Sequence, residues 1–271
     1  MISKFKKLIK NYLLKTNFFL GIQKIPYIYD HINIETTSRY NLKCKFCAYD
    51  KRDLEIYPIE TMSMELFKNT VSQSLDLGYK KIGLTPTTGD IYMDKSISEK
   101  IEFLEDLNRY DGYFFYTNFI PIKKNQIEEL FNKNKLISFG ISIYGHDLET
   151  FKKFSGGTIN AYNKMIENLI FLEKILKKKN QTFEISISQR TEKNFNLQNN
   201  HSDLSNIIKK ILKKDKVIYE ANSEFNNWGG IIKIDDVKNL NIDLNTTKTT
   251  KIGSCSLIYS RLIIGANGVV N

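Results

Sequence analysis

The sequence predicts an α/β fold: six parallel strands, helices covering their outside, and a short β-hairpin extension at the C-terminal end. Three observations carry this. Six short β-rich runs alternate with longer helical patterns between residues 31 and 221, and each connection is long enough for a parallel crossover. At 41% hydrophobic, the 271-residue chain can bury the core of one large α/β domain or two small ones. Four prolines and fourteen glycines argue against a linker-rich or low-complexity chain.

The elements follow in order. "HINIET" (31–36) is the first strand, and "SMELFKNTVSQSLDLGY" (63–79) is a helix with Gly78 as its stop signal. "KKIGLTP" (80–86) is the second strand, followed by a helix over 96–110. "GYFFYTN" (112–118) and "LISFGISIYG" (136–145) are the third and fourth strands, with a helix over 123–135 between them. A long amphipathic helix spans 159–179, "FEISIS" (183–188) is the fifth strand, 204–215 is a helix and "KVIYEA" (216–221) is the sixth strand. Beyond it the βα rhythm breaks. Asn267-Gly268 between apolar runs signals a hairpin, with its second strand barely begun. The organisation expected is therefore an N-terminal amphipathic helix (1–29), a barrel-forming core (30–222) and a C-terminal extension (223–271).

The N-terminal helix sets Phe5, Leu8, Ile9, Tyr12 and Leu13 at helical spacing, with lysines between them. Lys15 interrupts the apolar run, so this is not a signal-peptide core, and no stretch is long enough to span a bilayer. Two readings stand: packing on the main domain, or contact with an anionic membrane surface. The net charge of +10 rests on 35 lysines against 5 arginines. Arginine is the preferred fork for bases and phosphates, so nucleic acid is not the expected partner. The lysine runs at 173–181 and 209–216 read as solvated helix faces. A cytoplasmic location is the default, and there a C-x-x-C binds metal or does redox chemistry more often than it forms a structural disulfide.

In a parallel β/α fold the chemistry sits at the carboxyl ends of the strands. After the first strand come Arg39, Tyr40, Asn41, Leu42, Cys44 and Cys47. By itself the C-x-x-C is a zinc half-site, a redox pair or chance. "TPTTGD" (85–90) follows the second strand, Thr117-Asn118 ends the third, "GISIYG" is the fourth, and Arg190 follows the fifth. A glycine permits close backbone approach, and a carboxylate accepts from an amine. His146 lies just beyond the fourth strand, near the expected cavity. It is placed as a helix cap or surface residue, with substrate contact as the sharper alternative.

The stretch "IETTSRYNLKCKFCAYD" resembles the radical S-adenosylmethionine (radical SAM) superfamily, whose C-x-x-x-C-x-x-C signature stands just after the first strand. The resemblance covers roughly residues 30–270 and implies a partial (β/α)6 barrel. In that family three thiolates hold a 4Fe–4S cluster whose open iron is chelated by S-adenosylmethionine (AdoMet). The cluster, reduced by an external electron donor, cleaves AdoMet to a 5′-deoxyadenosyl radical that abstracts hydrogen from a substrate. The implied metal ligands are Cys44 and Cys47, with Tyr40 in the place of the first signature cysteine. The implied AdoMet contacts are Thr88, Gly89 and Asp90 toward the methionine amino group, Ser142 toward the ribose, Arg190 toward the carboxylate and Phe46 near the adenine. Asn118 matches the family's residue at the end of the third strand, and Tyr144 is a further cavity candidate. "GSCSLIYSRLIIGANGVVN" (253–271) looks like the start of a SPASM-type extension, with Cys255 at its first cysteine position and the chain ending before the next. The resemblance implies a peptide, a sugar or another small molecule as substrate. The departure at Tyr40 keeps a second reading open: a degenerate, non-catalytic homologue that retains the barrel, and with it AdoMet binding, as a scaffold or regulatory partner.

Overall fold

The structure is a computed structural model that describes residues 31–85, 87, 89–246 and 262–270, together with Ile9, Tyr12, Leu13, Thr16 and Leu20. Thr88 and Cys255, both singled out in the sequence, lie outside the described residues.

Six strands appear where the alternating pattern placed them: β1 (His31–Ile34), β2 (Lys81–Gly83), β3 (Gly112–Thr117), β4 (Leu136–Tyr144), β5 (Glu184–Arg190) and β6 (Val217–Asn222). All pair in parallel, and a seventh, β9 (Ile263–Ile264), pairs in parallel with β1, giving the order β6-β5-β4-β3-β2-β1-β9. The two ends of this sheet do not meet, so the barrel is open between β6 and β9. A separate two-stranded parallel sheet joins β7 (Glu224–Asn226) to β8 (Asp243–Asn245).

The connecting helices start and stop on local chemistry. Helix α1 (Met64–Asp76) opens on Ser63, whose Oγ accepts from the Leu66 amide at 3.1 Å, and ends before Gly78 at φ 97°. Helices α2 (Ile97–Glu105) and α3 (Lys124–Leu130) are shorter than their sequence patterns suggest, fraying into turns before β3 and β4. Helix α4 (Leu148–Ser155) was not expected. Asp147 caps it by accepting from the Thr150 amide at 2.8 Å, and Gly156 closes it at φ 64°. Its eight residues are too few to show a clear period. Helix α5 (Ile159–Leu176) opens on Thr158 and α6 (Asp203–Ile211) on Ser202, each side chain accepting an amide hydrogen bond. A one-turn helix, α7 (Ile234–Val237), lies between β7 and β8.

One continuous apolar core unites strands and helices. Ile32, Ile82, Phe115, Phe139, Ile141 and Ile187 are fully buried with Phe67 of α1, Phe151 of α4, Leu169 of α5 and Ile208 of α6. Each such side chain contributes roughly 1.5–3 kcal/mol by leaving water. Because strand side chains alternate, the residues between them face the other side. Gly140, Ser142 and Tyr144 of β4 lie beside Ser186, Ser188 and Arg190 of β5, which lie beside Ile218, Glu220 and Asn222 of β6. The core face is Ile- and Phe-rich; the opposite face is polar and forms the lumen. At the far end of the chain, Gly265 and Val269 close a turn through Asn267-Gly268, with Gly268 at φ 83°, as the Asn-Gly pair predicted.

Candidate functional site

A cavity of about 410 Å³ opens at the carboxyl ends of the strands. Its lining brings together residues the sequence scatters over 150 positions: Tyr40, Cys44, Phe46 and Cys47 after β1, Gly89 and Asp90 after β2, Asn118 after β3, Ser142 on β4 and Arg190 on β5. Tyr144 and Arg190 share one register row with Asn222, and Ser142 lies one pleat deeper.

The loop after β1 folds into a turn in which the Cys47 amide donates to the Cys44 carbonyl at 3.0 Å. Both thiols are free; Cys44 is buried and Cys47 half-buried. Burial pushes both up from the ordinary thiol range, and for Cys44 the neighbouring Cys47 adds to the rise while a hydrogen bond from Tyr40 opposes it. Tyr40 lines the same cavity. Its hydroxyl makes a 2.8 Å hydrogen bond with the Tyr144 hydroxyl, and its edge meets Tyr49 at 5.4 Å. Burial, and then the neighbouring Tyr144, hold Tyr40 well above the ordinary phenol value, so it stays a neutral phenol. Burial raises Tyr144 as well.

Asp90 is 2% exposed and its carboxylate is fully engaged. It accepts from the Thr117 hydroxyl at 3.0 Å, the Asn118 amide at 2.7 Å and the Tyr92 amide at 3.0 Å. Burial pushes its pKa up to about 6 against the pull of these donors. Asp90 therefore staples the loop after β2 to the end of β3. The Asn118 side chain donates to Asn41 Oδ1 at 2.7 Å and accepts from the Ile120 amide at 3.0 Å, tying the same strand end to the cysteine loop. Glu35 adds a further tie by accepting from the Thr87 amide at 3.0 Å.

Arg190 stands differently. Its guanidinium lies 5.8 Å from the Tyr144 ring centroid, and its Nη1 is buried without a hydrogen-bond partner. A buried unsatisfied cationic donor facing a cavity is costly, and an anionic group entering the cavity would satisfy it. Phe46 forms part of the wall, 4.4 Å from Phe225 and 5.8 Å from Tyr144.

Sequence reasoning missed the outer rim. Glu224, Phe225 and Asn226 of β7 and Trp228 also line the cavity, and Trp228 Nε1 donates to the Phe46 carbonyl at 2.9 Å. The stretch carries no periodic signal; only its aromatic content hinted at a packed role. Tyr116 on β3 is a second omission, legible in principle from its inward phase on the strand. His146 does not line this cavity. Its ring bonds Thr191 Oγ1 at 2.9 Å and stacks on Phe195 at 4.9 Å, beside a separate hollow formed with residues 192–200. The cap of α4 is its neighbour Asp147.

The donor set does not fit a 4Fe–4S cluster. Such a cluster is held by thiolates. Among the described residues the cavity offers two thiols, and the phenol of Tyr40, four residues before Cys44, is hydrogen-bonded to Tyr144. No group of three or more His, Cys, Asp or Glu side chains able to hold a metal ion occurs among the described residues.

No protein-family model matches the sequence, and no curated protein matches it significantly. Solved structures do share its architecture. Streptococcus suis SuiB bound to precursor peptide SuiA aligns at TM-score 0.60 and 14% identity, over 89% of this chain and 58% of SuiB. BtrN in complex with AdoMet and 2-DOIA aligns at TM-score 0.53 and 14% identity, over 90% of this chain and 73% of BtrN. The anSMEcpe structure with bound AdoMet aligns at TM-score 0.55 and 16% identity, over 89% of this chain and 70% of its own. This chain thus spans less than two thirds of SuiB, and what it has in common with these three proteins is an open, parallel β/α barrel fold.

Proposed function

We propose that this chain is a radical SAM-type barrel that binds AdoMet, or a closely similar amino-acid nucleoside, without cleaving it reductively. The single observation that carries the reading is the contrast inside one cavity: Arg190 Nη1 is buried and unpartnered, while the third cluster position is closed by the Tyr40–Tyr144 hydrogen bond. The AdoMet-bound neighbours BtrN and anSMEcpe support the choice of ligand. In this reading Arg190 takes the ligand carboxylate, Ser142 the ribose, and Phe46 packs against the adenine. Gly89, with Thr88 beside it, lets the backbone approach the methionine amino group, and Asp90 and Asn118 hold that loop in place. The product of binding is then a conformational or scaffolding output, not a radical.

Titration calorimetry of the chain with AdoMet tests the first half. Arg190→Met should weaken binding by about 10- to 100-fold, the range of a charge-assisted hydrogen bond. Anaerobic reconstitution with iron and sulfide tests the second half. Tyr40→Cys should take up about four irons, as a 4Fe–4S site does, and the wild-type chain should not. Stoichiometric iron in the wild-type chain, with 5′-deoxyadenosine formed on reduction, would replace this reading with the enzymatic one.

A further inference from the structure

More than half of the net charge lies in the first 29 residues. Residues 1–29 hold six lysines (Lys4, Lys6, Lys7, Lys10, Lys15 and Lys24) and no acidic residue, so they carry +6 of the chain's +10. In the same stretch Ile9, Tyr12, Leu13 and Thr16 are helical, and the Leu20 amide donates to the Thr16 carbonyl at 3.0 Å, one helical turn back. Ile9, Tyr12 and Leu13 stand at i, i+3 and i+4, one stripe of that helix. They are 46%, 73% and 55% exposed. Of the two sequence readings, exposure at these three positions favours contact with a surface outside the chain.

An apolar stripe flanked by lysines is the pattern of a helix lying in the plane of an anionic bilayer surface, with its apolar side chains in the acyl boundary and its ammonium groups among the headgroups. Among the described residues, the exposed Leu54, Ile56 and Tyr57 are interleaved with the acidic Asp53 and Glu55, and Lys213 and Lys214 line a separate basic hollow. No helix among the described residues is long and apolar enough to cross a membrane. We infer that the stretch around Ile9, Tyr12 and Leu13 docks the protein peripherally on anionic lipid. This inference is independent of what the barrel cavity binds.

The test is co-sedimentation of the full chain with phosphatidylcholine vesicles, with and without phosphatidylglycerol, at about 0.1 M salt, where screening acts over about 10 Å. Binding is expected to the anionic vesicles only. Lys6→Gln/Lys7→Gln/Lys10→Gln should weaken it about a hundredfold, from the contribution of each basic residue near a charged surface. Ile9→Ser/Leu13→Ser should weaken it with every charge intact, which a purely electrostatic attachment would not show. Ile9 and Leu13 are exposed, and circular dichroism should show both variants folded. Failure to bind anionic vesicles overturns the inference, as does equal binding to neutral ones or full binding by Ile9→Ser/Leu13→Ser. A dimer in the wild-type chain that Ile9→Ser/Leu13→Ser converts to monomer would assign the stripe to a second copy instead, and salt-sensitive duplex-DNA binding unaffected by that variant would assign the lysines to nucleic acid.

Discussion

Replacing Tyr40 by phenylalanine probes the contact on which the functional reading turns. The Tyr40 and Tyr144 hydroxyls are 2.8 Å apart, and Tyr144 is only 8% exposed. Tyr40→Phe removes a neutral hydrogen bond, contributing about 0.5–1.5 kcal/mol, and leaves the Tyr144 hydroxyl buried without its partner, at a cost of about 1–3 kcal/mol. The cavity beside the pair admits water, so the lower end of that range applies, and about 1–2 kcal/mol in total is expected. Tyr144→Phe should cost about the same by the same reasoning. The double variant leaves neither hydroxyl stranded and should cost clearly less than the two singles added, with a coupling of about 1 kcal/mol. Urea unfolding followed by circular dichroism reads all four proteins, provided the slope with denaturant stays constant across the set. Additive single costs, with coupling near zero, would refute the reasoning. The phenol at position 40 would then be energetically uncommitted and open to another role, including that of a metal donor.

The buried pair Lys100–Asp94 gives a second expectation. Lys100 Nζ sits 2.5 Å from Asp94 Oδ2 and 2.6 Å from the Met62 carbonyl, with both side chains almost fully buried; Lys100→Met should cost about 3–5 kcal/mol, and adding Asp94→Leu should return much of it, both read from denaturant midpoints. Gly140→Ala would put a methyl group 2.1 Å from the Tyr116 ring, which must swing into the lumen; AdoMet affinity should fall more than stability, as paired calorimetry and unfolding would show. Asp90 sets a pH dependence. Its folded pKa, about 6, lies above its ordinary 3.8, so the folded state holds the proton more tightly. Its contribution is fully present below about pH 4 and is lost as pH rises through 6, a change of order 3 kcal/mol; Asp90→Asn should flatten the unfolding free energy across that window.

What the sequence made legible is what local chemistry controls. β4 and β5 were readable because Ile and Phe alternate with Gly and Ser, and that alternation is the physical sorting of a core face from a lumen face. Topology gave the end of the sheet where the cavity lies, because parallel β/α units all deliver their loops there; the resemblance picked out Tyr40, Asp90, Asn118 and Arg190 among the strand-end residues, and they converge on it, whereas His146 does not. Helix α4 escaped because its signals are its ends, Asp147 and Gly156, and not its period. The rim at Glu224, Phe225 and Trp228 escaped because its position depends on long-range contacts, Trp228 to Phe46 above all, which no window of sequence contains.

The same distinction separates what the cavity and a cluster would each demand of the sequence. The pocket is over-determined: Asp90 ties β2 to β3, Asn118 ties β3 to the loop after β1, and the Tyr144–Arg190–Asn222 row is fixed by strand register. Loss of any one tie leaves the others holding the wall. A cluster depends instead on the count of thiolates at one loop, and a single side chain of the wrong chemistry removes a ligand that no other described residue of the cavity supplies. Tyr40 does more than leave a ligand out. By hydrogen-bonding Tyr144 it links the cysteine loop to the end of β4 as one more structural tie of the same pocket. Placing cysteine at position 40 therefore exchanges a stabilising contact for a thiol. The Tyr40→Cys protein should be less stable than the parent until iron and sulfide are supplied, and more stable once the cluster bridges the loop.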